Sequence, residues 1–250
     1  MFPILQIGSI AIQTPGLILL LGLWLGLELA ERQAVQADFA PNKLFNTALA
    51  AIGAGLIGGR LVFAAMNPQV FYQNPLNLFS LSLQMIDITG GLAFAAAAGL
   101  AYGSRVGLPL WPAADCLTSL LAVLQVSLGL ANFASGDGYG LPTDLPWAIY
   151  LWGANRHPSQ LYETGAALIA AFFTWPTVLK IWLRISTQPG ARFWMFCTFS
   201  SVSWLFLEAF RASGSLLWQQ YRLVQVLAWC VLALSLWQIA RKTSPATATQ

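Results

Sequence analysis

Ionisable side chains are rare in this sequence, and a cluster of them lies in one short segment. The segment RHPSQLYE, residues 156–163, holds Arg156, Glu163 and His157, the only histidine of the chain. An imidazole gains and loses protons near neutral pH, and a guanidinium binds phosphate or carboxylate oxygens through two parallel hydrogen bonds. The segment is therefore a candidate polar site. Further hydrogen-bonding groups in it are Gln160 and Tyr162.

Two ionisable groups in the middle or end of long apolar runs, and one directly after a run, are further candidates. Arg60 follows two glycines, and Glu208 precedes Arg211 by three residues, which places both on one face of a helix. An ionisable group within a membrane costs several kcal/mol unless it faces a polar cavity or a partner, so each is a candidate site residue. Structural alternatives remain: Arg60 could pair with Glu163, Glu208 and Arg211 could form a helix-end pair, and a lone histidine before a helix is often structural.

The elements that must position these groups are membrane helices. The chain is 57% hydrophobic and 8% charged, far more apolar than a soluble domain. Apolar runs of about 20 residues, the length that crosses a bilayer core, predict an all-α, polytopic membrane protein with about seven transmembrane helices. Residues 1–243 form one predicted transmembrane domain, and 244–250 a disordered tail. The runs lie near 14–31, 44–66, 86–103, 115–133, 161–183, 192–210 and 219–240.

Basic residues divide unequally between the two sides of this pattern, three against eight. Because Lys and Arg collect in cytoplasmic loops, the N-terminus is predicted outside and the C-terminus in the cytoplasm. The long loops 67–85 and 134–160 then face outward. The net charge of +3 is a topology signal, since no basic stripe indicates nucleic acid. The three outer residues are Arg156, Arg211 and Arg222; the inner eight are Arg32, Lys43, Arg105, Lys180, Arg184, Arg192, Arg241 and Lys242.

The remaining polar and sulfur-containing groups of the runs have simpler explanations. Asp87 and Asp115 fall at predicted helix starts, where an N-terminal cap accounts for an aspartate. The three cysteines lie inside predicted runs without metal-ligand spacing, so neither a disulfide, a metal site nor a cofactor is expected. They are Cys116, Cys197 and Cys230.

Several motifs together resemble one known family. RHPSQLYE, preceded by NFASGDGYG, resembles a segment of the bacterial prolipoprotein diacylglyceryl transferases, a seven-span family that carries Arg-His-Pro-Ser-Gln-Leu-Tyr-Glu. IGGRL in the second run is similar to the family's Gly-Gly-Arg-Leu motif, GGLAF to its Gly-Gly-Met-Ser-Phe segment, and EAFR to the end of its sixth span. The motifs follow the family order over nearly the whole chain.

The resemblance implies an activity and a set of site residues. The activity is transfer of the diacylglyceryl group from phosphatidylglycerol to the lipobox cysteine thiol of prolipoproteins in the bacterial inner membrane, with membrane lipids as further partners. His157 is the implied catalytic residue. The implied phospholipid-binding residues are Arg60, Arg156, Arg211, Asn132 and Gly140, with Gln160, Tyr162, Glu163, Glu208 and Asp137 as supporting groups.

Several positions depart from the family pattern, among them Ala131, Ser135 and Asp137 in place of Gly, Asn and Glu, and four further departures fall at site residues of the family. Gly129 and Leu141 stand where the family has Arg, Ala95 where it has His, and Pro15 where it has Tyr. The sequence therefore favours an active transferase, with a catalytically impaired relative as the alternative. Such a relative would bind phospholipid or serve as an interaction subunit of a membrane complex. Transport is a third reading, without the inverted repeat that many transporters carry.

Overall fold

The computed structural model describes residues 4–7, 10–73, 85–181, 188–212, 216–217 and 221–243. The predicted tail 244–250 lies outside the described residues. The chain divides into two compact units. Unit 1 comprises Met1–Leu29 and Ala114–Gln250, and unit 2 comprises Ala30–Ala113.

Helices dominate both units, and the strands of the described residues form three short antiparallel hairpins. The first half of the chain contains β1 (Ile4–Ile7), β2 (Ile10–Gln13), α1 (Thr14–Gln36), α2 (Pro41–Met66), α3 (Pro68–Gln73), α4 (Ile88–Arg105) and α5 (Leu110–Ser135). The second half contains β3 (Ile149–Leu151), β4 (Ala154–Arg156), α6 (Ser159–Phe173), α7 (Pro176–Ile181), α8 (Ala191–Leu207), a 3-10 turn (Glu208–Phe210), β5 (Leu216–Leu217), β6 (Tyr221–Arg222) and α9 (Leu223–Thr243).

Four of these helical segments are long and apolar enough to cross a membrane: α1, α2, α5 and the stretch Ala191–Phe210. Large apolar side chains on them point outward, with 67% of Trp24, 66% of Ile57 and 66% of Phe206 exposed. Such surfaces are stable against lipid rather than water. The prediction of a helical membrane protein is confirmed at this level.

The predicted run 161–183 is not one continuous helix. α6 ends at Phe173, and α7 begins after a break at Thr174 and Trp175. Pro176 has no backbone N–H and disfavours helical geometry in the residue before it. The hydroxyl of Thr174 donates to the carbonyl of Ala170 at 2.7 Å, and the same carbonyl accepts from the Thr174 backbone N–H at 3.0 Å.

Unit 2 is held together by close contact between α2 and α4. A Cβ added at Gly55 would lie 3.1 Å from the Gly91 carbonyl oxygen and 3.0 Å from the Cβ of Ala95. A Cβ at Gly59 would lie 2.7 Å from the carbonyl oxygen of Asp87. Small residues four apart on both helices thus let the backbones touch, as in many membrane helix pairs.

Asp87 and Asp115 both cap helices, but in different ways. Asp87 caps its own helix as predicted, since its Oδ1 accepts from the Gly90 N–H at 2.6 Å. Asp115 lies inside α5, and its two carboxylate oxygens accept from the N–H groups of Gly190 at 2.6 Å and Phe193 at 2.9 Å. The expectation that Asp115 caps the helix in which it lies is therefore wrong, because that helix begins at Leu110 and the free amides belong to α8.

Arg192, in the first turn of α8, completes this junction. Its Nε donates to the Thr174 carbonyl at 2.7 Å, Nη1 to the Asp115 carbonyl at 2.9 Å, and Nη2 to the Ser119 hydroxyl. We refer to Asp115, Ser119, Thr174 and Arg192 as the buried junction. It joins α5, α6 and α8, because hydrogen bonds satisfy polar groups that would be costly to bury alone.

Candidate functional site

A short β ladder brings distant parts of unit 1 together. Gly140 pairs with Arg211 and Pro142 with Arg156 in antiparallel bridges. The Leu141 N–H donates to the Phe210 carbonyl at 2.9 Å. On the other side, the Leu141 carbonyl accepts from the His157 N–H at 3.0 Å. The segment around Gly140 thus lies between the end of α8 and the residues that precede α6.

Gly140 is required at the centre of this ladder. A Cβ there would lie 2.6 Å from both the Cβ and the carbonyl oxygen of His157, and 3.0 Å from the carbonyl oxygen of Phe210. The close approach of three backbone segments leaves no space for a side chain. Gly140 therefore supports the site through the backbone, and its predicted contact with phospholipid stays a prediction.

Arg156 ends the hairpin formed by β3 and β4. Trp152 and Gly153 both have positive φ angles, 52° and 80°, as the tight turn of a two-residue hairpin requires. The Arg156 Nε donates to the Leu151 carbonyl at 3.1 Å, and Nη1 donates to the Gly140 carbonyl at 3.3 Å. The guanidinium also lies 4.8 Å above the Tyr139 ring. These contacts hold the hairpin against the ladder, and the predicted phosphate contact of Arg156 stays a prediction.

The start of α6 holds a glycine-rich turn in place. The Ser159 hydroxyl donates to the Gly138 carbonyl at 2.6 Å, and the Gln160 amide donates to the Asp137 carbonyl at 2.8 Å. Both side chains are buried. The Gln160 amide therefore fixes the turn through the Asp137 backbone, and its predicted supporting role in the site stays a prediction. The Asp137 residue itself is exposed.

A small, open cleft lies between α5, α6 and the end of α8. Its polar lining comes from all three elements, and its apolar lining includes Leu128, Ala166 and Leu207. This mixture suits a ligand with one charged end and one hydrocarbon end. The residues that matter most for the argument are Gln125, Gly129, Glu163, Trp204, Glu208 and Arg211.

Arg211 is the cation of this cleft. Its Nε lies 2.8 Å from Glu163 Oε1, and Nη1 lies 3.9 Å from Glu208 Oε2. The guanidinium carbon is 5.0 Å from the centre of the Trp204 ring. Glu208 is 2% exposed, so the alternative of a helix-end pair at the membrane surface does not describe it. Glu163, for which Arg60 was a candidate partner, pairs with Arg211.

Two hydrogen-bond donors converge beside Gly138. The position of a Cβ on this glycine would lie 3.6 Å from Arg211 Nη2 and 3.7 Å from Asn132 Nδ2. Gly138 has a φ angle of +64°, a conformation that other residues adopt only with strain. The glycine therefore leaves room next to a guanidinium and an amide, where an anionic oxygen could accept from both.

His157 belongs to an aromatic cluster next to the ladder. Its ring centre is 5.3 Å from that of Phe210, and its Nδ1 lies 3.4 Å from the Tyr162 hydroxyl. The same hydroxyl accepts from the Trp147 indole N–H at 2.7 Å. Among the described residues, His157 is not part of the cleft lining, although it follows Arg156 and contacts Phe210. Its catalytic role stays a prediction.

Sequence comparison now decides the family. A family model described as prolipoprotein diacylglyceryl transferase matches residues 3–241. The chain belongs to the prolipoprotein diacylglyceryl transferase family.

Relatives of the same description cover most of the chain. A phosphatidylglycerol–prolipoprotein diacylglyceryl transferase of Synechococcus elongatus is 25% identical, over 92% of this chain and 83% of the relative. One from Agrobacterium fabrum is 27% identical, over 96% and 91%. One from Solidesulfovibrio magneticus is 29% identical, over 98% and 96%. The resemblance noted in the sequence is thereby confirmed over nearly its full length.

Two departures from the transferase family pattern lie at tight helix contacts. A Cβ at Gly129 would lie 2.4 Å from the Thr164 hydroxyl oxygen and 3.1 Å from the Thr164 backbone nitrogen. An arginine at this position would therefore push α5 and α6 apart. Ala95 lies against Gly55 in unit 2. At the other two departures, Pro15 falls in the first turn of α1, and Leu141 is exposed on the ladder.

The remaining predicted transferase residue, Arg60, lies in unit 2. Its Nη2 is 3.8 Å from the Met85 sulfur, close to the start of α4. The structure brings together Arg156, His157, Tyr162, Glu163, Glu208, Arg211, Asn132, Gly140, Gln160 and Asp137, all within unit 1.

Sequence reasoning missed several residues of the site. Gly138 and Ser159 were not singled out, because their importance comes from backbone geometry and from a bond across the turn. Gln125 is not among the predicted site residues, because the candidates within the apolar runs are charged groups. An uncharged amide in such a run is itself a usable signal, since it is costly to place in a membrane without a hydrogen-bond partner.

Proposed function

We propose that this chain transfers the diacylglyceryl group of phosphatidylglycerol to the lipobox cysteine of prolipoproteins. The observation that carries the proposal is the convergence of Arg211 and Asn132 beside Gly138, with Arg211 also lining a cleft that has both polar and apolar walls. A guanidinium and an amide bind phosphate oxygens by charge-assisted hydrogen bonds. The family to which the chain belongs indicates the reaction that such a site would catalyse.

Binding the phosphate requires a rearrangement at Arg211. One guanidinium faces the two carboxyl groups of Glu163 and Glu208, so an incoming phosphate competes with them for the same cation. A carboxyl group must therefore give up its contact with the guanidinium when the phosphate binds. Arg60 and Arg156 are proposed as further phosphate ligands, as their motifs imply.

The proposed chemical step conserves atoms and charge. The lipobox thiol loses its proton to the imidazole of His157, and the thiolate attacks the terminal glyceryl carbon of the diacylglyceryl group. A carbon–sulfur bond forms as the carbon–oxygen bond to phosphate breaks. The oxygen keeps the electron pair and leaves as glycerol phosphate, stabilised by Arg211 and Asn132.

The proposed membrane arrangement follows the sequence pattern. Seven spans place the N-terminus outside and the C-terminus in the cytoplasm of a bacterial inner membrane, with the ladder and Arg211 at the outer side. A translocated lipobox peptide and the headgroup of an outer-leaflet phospholipid meet on that side. The basic asymmetry of three against eight supports this orientation.

Purified full-length protein, mixed with phosphatidylglycerol and a lipobox peptide, should yield a thioether product detectable by mass spectrometry. His157→Asn should lower the rate by about 10²–10⁴-fold, the usual contribution of a general base.

The matched control is Arg241→Gln, which removes an exposed cation that stacks on Trp237 and should leave the rate unchanged. Transfer that is indifferent to His157→Asn would exclude the residue as proton acceptor but not the reaction. Retained phosphatidylglycerol without any thioether product would identify the chain as an impaired relative that binds lipid.

A further inference from the structure

Gln125 is an uncharged polar residue in the middle of the apolar helix α5, and it lines the cleft. The Ser200 hydroxyl of α8 donates to its Oε1 at 2.9 Å. Among the described residues, the Gln125 side chain makes this one hydrogen bond. Since the amide oxygen is held by α8, the orientation of the amide is defined, and its two N–H donors are available to a ligand.

The depth of Gln125 in the cleft can be read from the neighbouring helices. Trp204, whose ring contacts the Arg211 guanidinium, lies one helical turn after Ser200 on α8. Gly129, which touches the residue after Glu163, lies one turn after Gln125 on α5. Four helical residues rise about 6 Å. The Gln125 amide therefore lies about one turn deeper than the cation.

The Ser203 hydroxyl of the cleft already donates a hydrogen bond within its own helix. Ser203 lines the cleft near the same depth, but it donates to the Phe199 carbonyl of its own helix at 2.8 Å. The apolar neighbours Leu128, Ala166 and Leu207 offer no hydrogen bond. The amide of Gln125 is thus a donor that a ligand meets below Arg211.

A diacyl glycerophospholipid presents matching groups in the same order. Its phosphate is followed by the glycerol carbons, then by two ester carbonyl oxygens, then by hydrocarbon. We propose that Gln125 donates a hydrogen bond to an ester carbonyl of the bound lipid and thereby selects diester lipids over their ether analogues. This inference rests on the proposed function, because it takes the phosphate to lie at Arg211.

The test uses two lipids that differ only in these carbonyls. Full-length protein in detergent is titrated with dioleoyl phosphatidylglycerol and with its dialkyl ether analogue, and each dissociation constant is measured. The wild type should bind the diester about 3–10-fold more tightly, as one neutral hydrogen bond allows. Gln125→Leu should weaken diester binding by the same factor and leave ether binding unchanged.

Two companion variants separate ligand contact from packing. Ser200→Ala keeps the amide but removes the bond that orients it, so the diester preference should shrink. Thr198→Ala removes a hydroxyl that bonds to Ser235 between α8 and α9, and the preference should stay at the wild-type value. If Gln125→Leu does not fold, Gln125→Met offers an unbranched apolar chain of similar length.

The results that would overturn this inference differ from those that would overturn the proposed function. Equal affinity of the wild type for both lipids, or equal weakening of both by Gln125→Leu, would overturn the inference while leaving the proposed transferase intact. Failure of the wild type to bind either lipid would overturn both. Thioether formation by a Gln125→Leu protein that keeps the full diester preference would overturn this inference alone.

Discussion

Two arginines of unit 1 lie beside carboxylates, and they differ in how the protein uses them. Arg192 donates from all three guanidinium nitrogens to groups of α5 and α6, and 9% of the residue is exposed. Arg211 contacts Glu163 and Glu208, its side chain is 18% exposed, and it lines a cleft. Both have charged partners, but only the second lines space for a ligand.

The difference shows what distinguishes a structural arginine from a binding one. In the buried junction each guanidinium nitrogen of Arg192 donates to a protein acceptor, and both oxygens of Asp115 accept from amides at the start of α8. An incoming anion would have to displace several of these bonds at once. At Arg211, Nη2 points towards the space beside Gly138, next to the Asn132 amide. Geometry rather than residue type therefore assigns the two roles.

Among the substitutions that test this difference between the two arginines, we expect the largest effect on stability at Arg192. Arg192→Leu should lower the free energy of unfolding by about 3–5 kcal/mol, because it leaves two carbonyls, a hydroxyl and the Asp115 carboxylate without their cation. Arg211→Leu should cost a smaller amount, about 1–2 kcal/mol, since water can enter its cleft. Unfolding midpoints in mixed detergent micelles measure both. Equal losses would show that the two sites are energetically alike.

For lipid binding, we expect a larger effect at Arg211 than at Arg192. Arg211→Gln should weaken phosphatidylglycerol binding by about 10–100-fold, the value of one or two hydrogen bonds to a charged group. Arg192→Gln, in protein that remains folded, should leave the dissociation constant unchanged. Measurement in detergent with dioleoyl phosphatidylglycerol compares them directly, with Arg241→Gln as the exposed control. Unaltered binding by Arg211→Gln would leave Arg211 with a helix-pairing role alone.

The smallest of these effects concerns the carboxylate of the buried junction. Asp115→Asn keeps one oxygen acceptor and loses the other, so one of the two α8 amides is left without its partner. The expected loss is about 1 kcal/mol of unfolding free energy, the usual value of a helix cap. Asp87→Asn, at a cap where the described bond uses Oδ1 alone, should cost less. A larger loss at Asp87 would contradict the cross-helix assignment of Asp115.

The fold and part of the site were accessible from the sequence for plain reasons. Apolar composition and run length predict membrane helices, because a bilayer tolerates few other structures. The spacing of Glu208 and Arg211 predicts a shared helix face, and the structure places the two in contact. The motifs predicted the family. The break in the run 161–183 was missed, although Pro176 and Thr174 are local signals for it.

The long-range partners were not accessible in this way. Whether Glu163 meets Arg60 or Arg211 depends on which helices are neighbours, and no spacing within one segment determines that. The cap that Asp115 provides for α8 bridges 75 residues, and the bond of Gln160 to the turn at Asp137 bridges 23. Such contacts follow from how helices pack, which is a property of the whole unit.

The sequence by itself determined that this protein is a helical membrane protein of the prolipoprotein diacylglyceryl transferase family, and which residues are candidates for its chemistry. Local composition and motif order suffice for that, because helix formation in a bilayer depends on neighbours in the chain. Only the tertiary structure decided that Arg192 is enclosed and Arg211 lines a cleft, and that Gln125 lies below it. Those roles depend on which backbone groups reach each guanidinium and amide, and the close approach of helices at Gly129 and of backbone segments at Gly140 contributes to those distances.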